Sequence, residues 1–144
     1  MLVPYKCKYF KIYELVPPAL YSATSEDVLW SQFDDRLLKT IDAIRAKYGP
    51  IIVNNWKSGG QLQNSGLRLS DTTTGVKFSQ HKLGRAVDLH STTKTPDQIR
   101  KDIVANPWSE EFKYITCIED NVNWVHLDVR NHDKLHKGLL IVLP

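Results

Sequence analysis

Two stretches of the chain alternate polar and apolar residues with a period of two, and nothing else in the sequence constrains the fold as tightly. Arg85 to His90 puts Ala86, Asp88 and His90 on one side and Val87 and Leu89 on the other. Asn123 to Val129 does the same, with Trp124, His126 and Asp128 opposite Val125, Leu127 and Val129, and Arg130 continuing the polar side. Both stretches predict strands of a sheet with one face turned to a core.

The cover for that face is expected from upstream. Thr24 or Ser25 can cap a helix whose first turn holds Glu26 and Asp27, where the helix dipole favours negative charge. Phe33, Leu37, Ile41 and Ile44 recur at helical spacing, and Gly49-Pro50 stops the run, so one long helix is predicted. Pro50 to Trp56 and Lys113 to Glu119 read as further strands, Leu139 to Leu143 as an edge strand, and Thr95-Pro96-Asp97 opens a short helix through about Ala105. The expected fold is a single α+β domain: a mostly antiparallel sheet with the long helix packed on it. It divides into an N-terminal arm at 1–23, a core at 24–130 and a tail at 131–144. The arm is mixed aromatic and basic, and Pro17-Pro18 is expected to break any regular element there. From Lys57 to about Gln80 the chain is rich in Gly, Ser, Thr and Asn without apolar periodicity; a loop that long inside a compact domain is usually functional.

Composition narrows the function classes. With 144 residues and 42% hydrophobic content, the chain can bury a core of its own. Nineteen basic residues against 16 acidic ones leave a formal charge of +3, too small an excess to argue for a nucleic-acid partner. No stretch approaches the ~20 apolar residues of a membrane span, and the start does not read as a signal peptide. Release from the producing cell is then expected to depend on another agent. Cys7 and Cys117 are too far apart for a C-x-x-C pair, so two free thiols or one disulfide remain open.

The chemistry concentrates in Ser79-Gln-His-Lys-Leu-Gly-Arg-Ala-Val-Asp-Leu-His90. A turn at Gly84 lets His81 and Asp88 point at one spot, and a neighbouring strand would add His126. Two imidazoles and one carboxylate leave the fourth position of a zinc ion open for water, the mark of a catalytic rather than a closed structural site.

These residues resemble the M15-type zinc peptidases, which include D-Ala-D-Ala carboxypeptidases and phage endolysins. The pattern S-x-H-x-x-G-x-A-x-D followed by W-x-H stands here as Ser79, His81, Gly84, Ala86 and Asp88, then Trp124 and His126. The hedgehog signalling domain looks similar around the same metal site. The resemblance covers roughly residues 51–129 and implies a hedgehog- and D-Ala-D-Ala-peptidase-like fold, with Zn2+ held by His81, Asp88 and His126. It implies a monomer acting on the stem peptide of peptidoglycan, and the lack of a signal peptide and of a wall-binding module fits a phage-encoded lysin.

The general base implied by the resemblance is an acidic residue three positions before the last histidine, where this chain has Asn123, or a glutamate about six positions before it. Glu119 and Asp120 lie seven and six positions before His126; Glu119 is preferred because glutamate is usual there and reaches further. Arg68, in Asn64-Ser-Gly-Leu-Arg68, resembles the family's S-G-Y/L-R stretch and would either hold a substrate carboxylate or form a salt bridge within the fold. Ser79 and Gln80 would line the cleft or shape the turn, and Asp128 would orient a ligand imidazole. His132 and His136 read as solvated, and Trp30, Trp56 and Trp108 as packing residues. The competing reading is a non-catalytic zinc-holding module or structural protein of the same fold, with His90 as the candidate fourth ligand of a closed site.

Overall fold

The computed structural model describes residues 3–72 and 79–144. Part of the Lys57–Gln80 loop, residues 73–78, lies outside the described residues, as do residues 1 and 2.

A mixed five-stranded sheet runs in the order β1-β2-β4-β3-β5, with β1 at Ile51–Ile52, β2 at Ala86–Ser91, β3 at Cys117–Glu119, β4 at Val125–Asp128 and β5 at Leu140–Val142. Three of its pairings are antiparallel; β3 and β5 run parallel. Among the described residues, five α-helices complete the single α+β domain: α1 (Pro18–Ala23), α2 (Glu26–Ser31), α3 (Asp35–Tyr48), α4 (Pro96–Ala105) and α5 (Lys134–Lys137). Among the described residues no helix is long and apolar enough to cross a membrane.

The alternation in β2 and β4 sorts the sheet into two faces. Val87, Leu89, Ile118, Val125 and Leu127 are all buried in one core with Leu37, Leu38, Ile41 and Ile44 of α3 and Ile99 and Ile103 of α4. Hydrophobic burial on this scale, about 25 cal/mol per Å² of apolar surface, is the main force holding helices to sheet. The other face carries Asp88, His126 and Glu119 in one cross-strand row, because Asp88 pairs with His126 and His126 with Glu119.

The expected long helix is instead two. The chain breaks at Gln32–Asp34, where the Asp34 N–H donates to the Gly84 carbonyl (3.0 Å) and the Asp34 carboxylate accepts from the Arg36 N–H (2.9 Å) to cap α3. Gly84, at φ +67°, presses so close to the Gln32 carbonyl that a Cβ would collide with it. The break is therefore where the upstream helices meet the turn that precedes β2.

Other differences have similar tertiary causes. The strand expected over Pro50–Trp56 is two residues long, because Asn54 leaves the sheet: its N–H donates to the Glu14 carbonyl and its side-chain amide to the Val16 carbonyl. The strand expected over Lys113–Glu119 begins only at Cys117, after turns that bury Phe112 and Ile115. The arm is ordered onto α3, where the buried Asp42 accepts from Tyr5 Oη (2.6 Å) and the Lys8 N–H (2.8 Å). Pro17-Pro18 starts helix α1 rather than preventing one, with Pro18 at the first helical position. Helix α4 opens at Pro96 with a reciprocal Thr95–Gln98 capping box.

Candidate metal centre

His81 sits in a 3₁₀ turn (Gln80–Leu83) whose first N–H groups need an acceptor. Ser79 Oγ accepts from the His81 N–H at 3.2 Å, and the left-handed Gly84 closes the turn. Asp88 lies in β2, its N–H donating to the Ser65 carbonyl at 2.7 Å, so the 64–68 segment runs beside the strand. His126 stands opposite Asp88 in β4. The three offer ligand atoms that all lie within 4.8 Å of one another. Asp88 Oδ1 is 3.4 Å from His81 Nε2 and 2.8 Å from His126 Nδ1. Tetrahedral bonds of ~2.0–2.1 Å put neighbouring donors about 3.3 Å apart; the His81–Asp88 separation matches this and the 2.8 Å His126–Asp88 hydrogen bond would open slightly, so the cluster could hold a metal ion.

The second nitrogen of each ring strengthens that reading. His81 Nδ1 is 3.0 Å from the Gly66 carbonyl, which can only accept, so Nδ1 carries the proton and Nε2 is free to ligate. His126 Nε2 is 2.8 Å from Asp128 Oδ2, which leaves Nδ1 to face Asp88. Burial works against charge on the His126 ring, but its hydrogen bonds to Asp128 and Asp88 override this and push it up to about 9. A metal taking Nδ1 therefore displaces a proton. Burial raises the Asp88 carboxyl, yet the bonds from His126 and His81 outweigh it and hold the group well below the usual carboxylate range. Two imidazoles and an ionised carboxylate can hold a metal ion, and among the described residues no further His, Cys, Asp or Glu joins the group. His90 in particular does not close it.

Other predicted residues separate cleanly. Glu119 shares the sheet face of Asp88 and His126, next to His126 across the β3–β4 pair, and its charge is felt at Arg68 and Arg130. Asp120 is not brought to the cluster. The strand's alternation turns it to the helical face, where it sits 3.7 Å from Arg100 Nε and is mostly exposed. Asn123 is exposed and lines a groove with Asp97 and Arg100, again away from the His81–Asp88–His126 cluster.

Arg68 Nη2 lies 3.4 Å from Asp88 Oδ2, and its Nε donates to the Asn64 carbonyl at 2.8 Å. The salt bridge within the fold is thus present, and it leaves Asp88 Oδ1 for the cluster. Burial draws the Arg68 guanidinium below its ordinary range, opposed by the charges of Asp88 and Glu119. The same guanidinium reaches a groove of about 380 Å³ lined also by Gln61, Gln63, His90 and Trp124, which opens on Asp88. Ser79 and Gln80 shape the His81 turn rather than line this groove.

Asp128 is fully buried and accepts from both His126 and Arg130. Gly66 was not singled out from the sequence, although it stands in the quoted Ser-Gly-Leu-Arg stretch. A Cβ there would strike the Leu15 carbonyl, so only glycine lets the segment come close enough to hold His81. Cys7 and Cys117 are free thiols, and burial pushes Cys117 up to about 12, a neutral group. Trp30 is buried, but Trp108 is half exposed with the Lys134 ammonium 4.4 Å over its ring. No protein-family model, curated protein or solved structure matches the chain.

Proposed function

We propose that the chain is a zinc-dependent peptidase that hydrolyses an amide bond in the stem peptide of bacterial peptidoglycan. The observation that carries this reading is the convergence of His81 Nε2, Asp88 Oδ1 and His126 Nδ1, with the opposite ring nitrogens tied to Gly66 and Asp128. A nitrogen-rich set of three suits zinc; magnesium and calcium take oxygen ligands. The three-donor count, with no fourth among the described residues, favours a catalytic site over a closed structural one. The resemblance to D-Ala-D-Ala carboxypeptidases and endolysins supplies the substrate class.

Bound there, zinc supplies a Lewis acid and lowers the pKa of a water towards ~7. The protein supplies the rest. The groove beside Asp88 receives the peptide, Arg68 fixes the Asp88 carboxylate and adds positive charge at the groove wall, and Glu119 takes the water proton and passes it to the leaving amine.

The test is digestion of purified peptidoglycan with products read by mass spectrometry, comparing zinc-loaded protein, chelator-treated protein and His126→Ala. Cleavage that requires both zinc and His126 is expected, and the released fragment distinguishes a terminal D-Ala from a cut within the stem. No cleavage by folded, zinc-loaded protein would replace the peptidase with a zinc-holding binding module.

A further inference from the structure

The structure assigns Arg130 as a positioning residue for the metal centre, acting on His126 through Asp128; the inference rests on the zinc reading above. Arg130 grips Asp128 three times. Its Nε donates to Oδ1 at 2.8 Å, its Nη2 to Oδ2 at 2.6 Å and its backbone N–H to Oδ1 at 3.2 Å. Asp128 has no exposure, and its Oδ2 also meets His126 Nε2 at 2.8 Å.

A planar guanidinium bonding both oxygens fixes the plane of a carboxylate, which a point charge does not. With that plane fixed, the His126 ring can satisfy Nε2 in only one orientation, and that orientation directs Nδ1 at Asp88 Oδ1. The arginine side chain is itself part exposed, while the backbone around it is held independently: Thr116 Oγ1 donates to the Arg130 carbonyl at 2.7 Å. The fork can therefore be removed without unpairing the strand. Partners one step behind a metal ligand commonly carry 10- to 100-fold of metal affinity.

The experiment measures zinc affinity by competition with a chromogenic chelator, and the visible spectrum of the Co2+-loaded protein, for native protein, Arg130→Lys, Asp128→Asn and the double variant. Thermal melts of the metal-free proteins check folding. Lysine keeps the charge beside the buried carboxylate but loses the fork, so Arg130→Lys is expected to fold, bind zinc about 10- to 100-fold more weakly and shift the Co2+ bands. The double variant should lose no more than Asp128→Asn alone. Native affinity and an unchanged spectrum in Arg130→Lys would overturn the assignment, as would losses that add in the double variant. If native protein binds no zinc, the proposed function falls with it, an outcome distinct from both.

Discussion

His81 has one ring nitrogen held by the Gly66 carbonyl, which only accepts, and His126 stands between two carboxylates, Nε2 on Asp128 and Nδ1 on Asp88, so the orientation of each ring is set by its neighbours. Glu119 completes the row Asp88–His126–Glu119 on the same face. A carboxylate that moves a proton in the transition state contributes about 10²- to 10⁴-fold to rate. Glu119→Gln is therefore expected to keep stoichiometric zinc while losing turnover by that factor, and Asp120→Asn to keep both. Steady-state kinetics with metal analysis on each variant checks this; equal losses in the two would contradict the role given to Glu119. That Asp88 and His126 each stand on the polar side of their own strand was legible from alternation, because the period of a strand is fixed by its pleat; that the two strands are neighbours was not, and comes from the β2–β4 pairing. The choice between Glu119 and Asp120 was not, because it depends on where β3 ends and on the register of its pairing with β4. The partner of His81 Nδ1 was equally hidden: the Gly66 carbonyl arrives from a loop whose path is set by contact with Leu15.

The elements were legible where local signals ruled. Thr95-Pro96-Asp97 placed the start of α4, and Leu140–Val142 fell within the expected edge strand. The division between α2 and α3 was not legible, since Phe33 continues the apolar spacing straight through it and is buried as a core residue should be. What breaks the helix is a contact 50 residues away in sequence, between Asp34 and Gly84. Gly84 and Gly59 give an internal comparison. Both are left-handed, at φ +67° and +96°, yet a Cβ at Gly59 meets nothing within 4 Å while one at Gly84 strikes the Gln32 backbone. Strain alone should cost Gly59→Ala about 1 kcal/mol, and Gly84→Ala about 3 kcal/mol or more because backbone must also move. Urea denaturation midpoints measure both; equal destabilisation would contradict the account of the helix break.

Across the whole molecule, the core face of the sheet supplies rigidity and the opposite face carries Asp88 and His126 of the candidate metal cluster. Helices α3 and α4 bury the apolar side of β2 and β4, which locks their register. A slip of one residue would send Asp88 or His126 into the core, so packing on one face fixes the donor geometry on the other. His81 comes from a separate turn that the α2–α3 break holds in place through Gly84. The centre is thus a product of the complete fold, built from three segments that meet only when helices and sheet are assembled. The most direct test is X-ray absorption at the zinc edge of the loaded protein, with His90→Ala alongside. The account predicts one zinc per chain with two imidazoles, one carboxylate oxygen and one further light atom not from the protein, unchanged in His90→Ala. A third imidazole that disappears in His90→Ala, or the lack of any stoichiometric zinc, would contradict it.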